Sequence, residues 1–327
     1  MSHQQTSLKQ DDQPPPSSDT GTNSSSPPDL VETLEYRRFT EFCDACRRYR
    51  YIGLCFGAPG VGKTLSARRY SRWDKVKQSD PWGSGETECP LLDTVLYTPA
   101  VMNSPGSIAG DISRSRSTLT ALARRPLRLE RDEKLEAIRR RDEEHHASFL
   151  RDADWLCDEK RQELRPTYGE VAKEYNVKDA HIRDPTTLMV VDEADRLRIA
   201  SLEQMRAIFD EGEIGVILIG MPGLEKRLAR YPQFYSRIGF VHEFRPLASK
   251  EMRQLLEQRW TPPGVHLPQE PMDAETVAAI IRITGGNFRL LNRLLTQMER
   301  VLEVNALKHV SKAVVDAARE SLVIGIS

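Results

Sequence analysis

The chain has 327 residues, enough for one large α/β core, a smaller satellite unit and some unfolded length. Its 47 Lys and Arg stand against 48 Asp and Glu, so net charge points to no polyanionic partner and any nucleic-acid surface has to be a local patch. No apolar run reaches the roughly 18 residues of a membrane span, the amino terminus lacks a secretory core, and five cysteines do not make a disulfide framework; a cytoplasmic protein with no membrane partner is expected.

Residues 1–30 are mostly Ser, Pro, Gln, Thr and Asp with little to bury, and read as a disordered tail. A helix is predicted over 35–49. Phe39, Phe42, Cys43 and Cys46 share one face of it, and no second ligand pair lies near the two thiols, so they are expected in a core and not on zinc. A buried strand follows over 51–56, then a Gly-rich turn, a helix over 63–73, a turn-rich stretch from Asp80 to Gly85 and a second strand over 94–97.

Residues 104–183 form a charged insertion, helix-favouring from 119 to 164 but too sparse in apolar positions for an amphipathic pattern. A third strand over 187–191 ends at Asp192-Glu193, a fourth lies over 215–219 after a helix through Met205 and Phe209, and a fifth lies over 240–244. Alternating strands and helices predict a parallel sheet. From 248 the pattern is helical only, over 249–259, 273–283, 287–304 and 311–322, the last with Ser311 as its cap. Phe288, Leu291, Leu295, Met298 and Leu302 step by three and four, giving one apolar stripe. The expected organisation is an α/β domain over 31–247 with a small all-helical lid over 248–327.

Gly57-Ala58-Pro59-Gly60-Val61-Gly62-Lys63-Thr64 matches the phosphate-loop pattern, with a strand before it and a helix after it. Glycines let backbone N–H groups crowd round phosphates, and the helix that follows adds its positive end. Lys63 supplies a mobile charge to the terminal phosphates, Thr64 a hydroxyl to magnesium, and Leu65 completes the nucleotide-binding run. Asp192, at the carboxyl end of a buried strand, is placed to join Thr64 on the metal, and Glu193 to orient and deprotonate water. ATP and Mg2+ are the cofactors this set implies.

Hydrolysis also needs positive charge at the leaving phosphate. Arg237, in Tyr235-Ser236-Arg237-Ile238, is the candidate delivered to a neighbouring subunit, ahead of Arg227 and Arg230 on what reads as an exposed charged helix. Gly285-Gly286-Asn287-Phe288-Arg289 opens the main lid helix, and Arg289, or Arg293 one turn on, would reach the γ-phosphate. Between Asp111 and Arg128 the arginines 114, 116, 124, 125 and 128 face a single acid, enough to neutralise several DNA phosphates unless they pair with the acids that follow. Residues 170–177 with Ile182 have a weak helix-turn-helix texture, but Pro185 and the strand behind it leave room only for one helix docking on the sheet.

Phosphate loop, strand-terminal Asp-Glu, an arginine before the fifth strand and a Gly-Gly-x-x-Arg lid together resemble an AAA+ ATPase over about 31–322. The order of Gly57–Thr64, Leu188–Asp195 and Ile217-Leu218-Ile219-Gly220-Met221-Pro222 is similar to bacterial transposition regulators of the TniB, TnsC and MuB kind. That resemblance implies an ATP-dependent, DNA-binding homo-oligomer, a ring or helical filament on double-stranded DNA, that passes target DNA to a transposase and is reset by hydrolysis. A nucleotide-gated signalling or remodelling switch without DNA, and a replication loader, stay open beside it. Gly220-Met221 stands where many AAA+ proteins carry a polar γ-phosphate sensor, which leaves that role unassigned.

Overall fold

Five short strands carry the apolar runs of the sequence into one sheet. The computed structural model describes residues 32–83, 92–149 and 167–322; the predicted tail and the 150–164 end of the charged section lie outside them. The strands are β1 (Ile52–Phe56), β2 (Thr94–Tyr97), β3 (Leu188–Val191), β4 (Gly215–Gly220) and β5 (Ile238–Glu243). They pair in the order β2-β3-β4-β1-β5, every neighbour parallel.

Residues alternate between the two faces of each strand, so a run apolar at every position needs cover on both sides. On one face Ile52, Leu54, Val95, Met189, Val191, Val216 and Leu218 share a core with Ile108, Ile112, Leu119 and Leu122 of α4 (Pro105–Phe149) and with Leu202 and Met205 of α6 (Ile199–Gly212). On the other, Cys55, Leu188, Val190, Ile217 and Ile219 meet Phe39, Phe42, Cys43 and Cys46 of α1 (Leu34–Tyr49). Both predicted core thiols are fully buried there, and burial pushes the Cys46 thiol up to about 12. Among the described residues no group of three or more His, Cys, Asp or Glu could hold a metal ion.

Three elements depart from expectation. The helix predicted over 63–73 is broken into α2 (Lys63–Ser71) and α3 (Trp73–Gln78), because Arg72 takes the left-handed conformation (φ 50°) and closes α2. The insertion begins as one helix of 45 residues, α4, with Pro126 inside it; its first turns bury Ile108, Ile112, Leu119 and Leu122 in the core while carrying Arg114 in solvent. Finally, α5 (Tyr168–His181) is the single helix expected near the end of the insertion, yet it docks on α4 and not on the sheet, burying Val171 and Tyr175 against Leu127, Leu135 and Ile138. Thr167 and Glu170 close its first turn as a capping box.

Past β5, four helices follow: α9 (Ser249–Glu257), α10 (Ala274–Thr284), α11 (Phe288–Val304) and α12 (Lys312–Glu320), after the short α7 (Leu224–Leu228) and α8 (Pro232–Tyr235). The predicted stripe on α11 is buried at Leu291, Leu295, Met298 and Leu302, with Leu294 added, while Phe288 faces the cleft described below. Ser311 holds the cap position of α12 without a side-chain hydrogen bond. No helix among the described residues is long and apolar enough to cross a membrane.

Candidate nucleotide-binding site

In an open parallel sheet, ligands bind beyond the carboxyl ends of the strands. The loop after β1, the turn after β3 and the end of β4 all lie at that edge, with β4 between the other two. They enclose a cleft of about 510 Å³ lined by residues that include Gly60, Gly62, Lys63, Thr64, Asp192 and Glu193.

Gly60 (φ 82°) and Gly62 (φ 112°) hold the loop in conformations that residues with a Cβ adopt only under strain. Lys63 opens α2 and is folded back into the loop, its Nζ donating to the carbonyls of Gly57 (2.5 Å) and Ala58 (2.8 Å). Burial pulls the Lys63 ammonium below its usual range, against the neighbouring Asp192 and Asp195. Asp192 is 3% exposed; burial raises its carboxyl, and bonds from the Thr64 hydroxyl and the Glu193 N–H (3.0 Å) oppose that. Glu193 itself sits in the left-handed region (φ 55°, ψ 42°), the kind of strain that functional sites hold.

The lid closes over the loop. Arg289 donates its backbone N–H to the Gly60 carbonyl (3.0 Å), and Asn287 donates its amide to that of Pro59 (2.8 Å) while also capping α11 at Leu290 (3.1 Å). Arg289, Phe288 and Asn292 line the cleft, where the Asn292 Oδ1 is buried without a partner. Arg293 is exposed and does not line it. A desolvated ammonium and a buried carboxylate against a threonine hydroxyl fit a polyanionic ligand with a hard cation: Lys63 and Arg289 for phosphates, Thr64 and Asp192 for magnesium.

An AAA domain model matches residues 46–228. A "Potential ATP-binding protein" of Staphylococcus aureus is 39% identical over 300 residues, covering 91% of this chain and 97% of that one. The chain belongs to the AAA+ ATPase family. The "Mu-like prophage FluMu DNA transposition protein B" of Haemophilus influenzae is 27% identical over 161 residues, which is 42% of this chain and 54% of that protein. The Aeropyrum pernix ORC1 protein, solved in complex with DNA, superposes with a TM-score of 0.51 at 18% identity, over 90% of this chain and 66% of that one, and speaks for the fold alone.

The remaining predicted residues of this AAA+ chain scatter. Arg237 precedes β5 and its carbonyl accepts from the N–H of Ile52, so it stands at the amino edge of the sheet, roughly 15–20 Å from its own phosphate loop, bonded to Asp210 (2.6 and 2.9 Å). Arg230 is exposed. Arg227 is not free on a surface helix as expected: it turns back to donate to the carbonyls of Asp195 (2.8 Å) and Leu197. On the arm that α4 and α5 form, Arg114 pairs with Asp111, Arg116 with Asp184 (2.5 Å) and Arg124 with Asp179 (3.6 Å), and Arg128 lies over the Trp82 ring. Arg125 is only 2% exposed, with Nε donating to the Gly83 carbonyl (3.3 Å), so burial removes it from any surface set.

Asp195 and Arg196, absent from the sequence-based set, also line the cleft. Asp195 accepts from the Met221 N–H (2.7 Å), and a Cβ on Gly220 would fall 2.7 Å from its Oδ2. The carboxylate thus fills the place of a side chain at the end of β4. The signal was the pairing of a glycine there with an aspartate three residues past Asp192, meaningful only once β3 and β4 are known to be neighbours.

Proposed function

We propose that this AAA+ protein binds ATP with magnesium in the cleft, hydrolyses it, and uses its nucleotide state to control assembly on double-stranded DNA, as a transposition regulator of the TniB, TnsC and MuB kind. The observation that carries the nucleotide reading is the convergence of Lys63, Thr64, Asp192, Glu193 and Arg289 on one cleft, with the lid bonded to the phosphate loop.

Each side chain has a defined task. Gly57 to Gly62, except Pro59, offer backbone donors, Lys63 leaves its carbonyl partners for the terminal phosphates, and Leu65, 44% exposed at the cleft, gives apolar cover. Thr64 and Asp192 are the residues that would hold magnesium, which would supply positive charge beside the phosphate oxygens. Glu193 takes a proton from water as the water oxygen attacks the terminal phosphorus, and the bond to the bridging oxygen breaks with its electron pair leaving on the diphosphate. Arg289 from the lid, and Arg237 given to a neighbouring subunit of a homo-oligomeric ring or filament, stabilise the charge that results.

Support for DNA comes from the relative named for DNA transposition and from the arginines 114, 116, 124 and 128 along α4. A transposase is the partner that relative suggests. The internal pairing of Arg116 and Arg124 favours a second reading, in which the arm docks a protein and nucleotide gates that contact without DNA. Fluorescence anisotropy on a labelled duplex separates the two: binding with ATP, lost with ADP and falling steeply as salt rises, supports the first, and no duplex binding in any nucleotide state rejects it.

A further inference from the structure

The carbonyl oxygen of an asparagine side chain normally meets solvent or an N–H donor. In Asn292 of α11 it meets neither: Oδ1 is buried and has no hydrogen-bond partner among the described residues. Asn292 stands three residues past Arg289 and four past Phe288, so the three side chains share one face of the helix, and all three line the cleft that holds Glu193. Leu291, Leu294 and Leu295 beside it are wholly buried. A leucine at 292 would fill about the same space without an unmet acceptor, so the amide stands there against stability. Only a ligand that donates a hydrogen bond recovers that cost. Phosphate oxygens accept, as Oδ1 does; the donors that a nucleotide site can bring are water, a ribose hydroxyl and a base amino group.

The end of β4 supplies the second observation. Gly220 has no side chain, Met221 is apolar, and the Asp195 carboxylate that fills the space accepts from the Met221 N–H (2.7 Å). The strand therefore sends no polar side chain of its own to the water that Glu193 must activate. We propose, on the hydrolytic reading of the cleft, that Asn292 is a catalytic residue supplied by the lid: Oδ1 accepts one O–H of the attacking water while Glu193 takes the other proton. As the water oxygen bonds to the terminal phosphorus, the first proton stays on that oxygen, and Asn292 neither gains nor loses one. Arg289 selects water among the three donors. It is the lid's phosphate ligand, and a side chain one turn from it, about 5–6 Å between Cβ atoms, works at the phosphate end of the cleft. The first turn of the same helix is bonded to Pro59 and Gly60, so the water is held only while the lid is seated on the phosphate loop.

The test compares variants of the full chain by melting without nucleotide, by affinity for a fluorescent ATP analogue and by steady-state turnover. Asn292→Leu should melt about 2 °C higher than the wild type, bind the analogue within about twofold, and turn over about 10–100-fold more slowly with KM for ATP within about twofold. Asn292→Asp, which keeps an acceptor oxygen, should recover most of kcat while its KM rises, because its charge faces the phosphates. A lower melting temperature for Asn292→Leu means that Oδ1 is already partnered and overturns the proposal. So does a wild-type kcat in that variant, and weakened binding alongside it would give the oxygen to the ribose or base. Asn292→Asp as slow as Asn292→Leu overturns the acceptor role as well. In each of these cases turnover by the wild type leaves the hydrolytic reading standing. A well-folded wild type with no turnover overturns that reading, and the role of Asn292 with it.

Discussion

The carboxyl edge of the sheet and the α4–α5 arm are both dense in charge, but their charges behave differently. At the sheet edge, Lys63, Asp192 and Glu193 are drawn together by backbone geometry, two of them at a burial cost that only a ligand of opposite charge offsets. On the arm the charges are met by partners within the protein or lie in solvent, as in Arg139 with Glu136 and Lys134 with Glu130. Charge held at a cost marks a site, whereas charge already compensated marks a solvated face.

That contrast breaks if substitutions in the two regions have similar consequences. The largest expected effect is Glu193→Gln, which should cut turnover by about 10²–10⁴-fold in a phosphate-release assay while fluorescent-nucleotide binding persists. Next comes Arg289→Ala, the loss of one charged donor to phosphate, expected to cost about 10–100-fold in nucleotide affinity or turnover. Arm substitutions should divide by burial. Arg125→Ala should destabilise by about 2–3 kcal/mol in chemical denaturation because its hydrogen-bonded guanidinium is enclosed, and Arg114→Ala, an exposed pair, by less than about 0.5 kcal/mol. If the arm meets duplex DNA, Arg114→Ala instead lowers the salt slope of binding by about one.

A small effect of opposite sign sharpens the contrast most. Asp192→Asn removes a buried charge whose ionised form folding penalises, so the nucleotide-free protein should melt higher, by about 2 °C, although the substitution disables the site. A lower melting temperature would mean that the Asp192 charge is already compensated, as those on the arm are.

Much of this was legible in the residues. Strand–loop–helix context made Gly57–Thr64 a phosphate loop, and the alternation of apolar strands with helices gave the parallel sheet, because both patterns are local and periodic. The place of Arg196 in the cleft was not legible, since its guanidinium is bonded to the carbonyl of Pro99, 97 residues away in the chain. Nor was the inward turn of Arg125, whose neighbour in sequence, Arg124, points to a different partner altogether.

By itself, then, the sequence determined the family, the parallel sheet and the helical carboxyl-terminal region, and it nominated the phosphate-loop residues and the acidic pair that the fold brings to one cleft, because short-range spacing fixes backbone conformation and hydrophobic period. Only the tertiary structure decided that Asp195 occupies the end of β4, that Arg237 stands at the opposite edge of the sheet from its own cleft, and that most of the arm's arginines are already paired. Those outcomes depend on which distant segments become neighbours when both faces of the sheet are covered, and no local pattern encodes them.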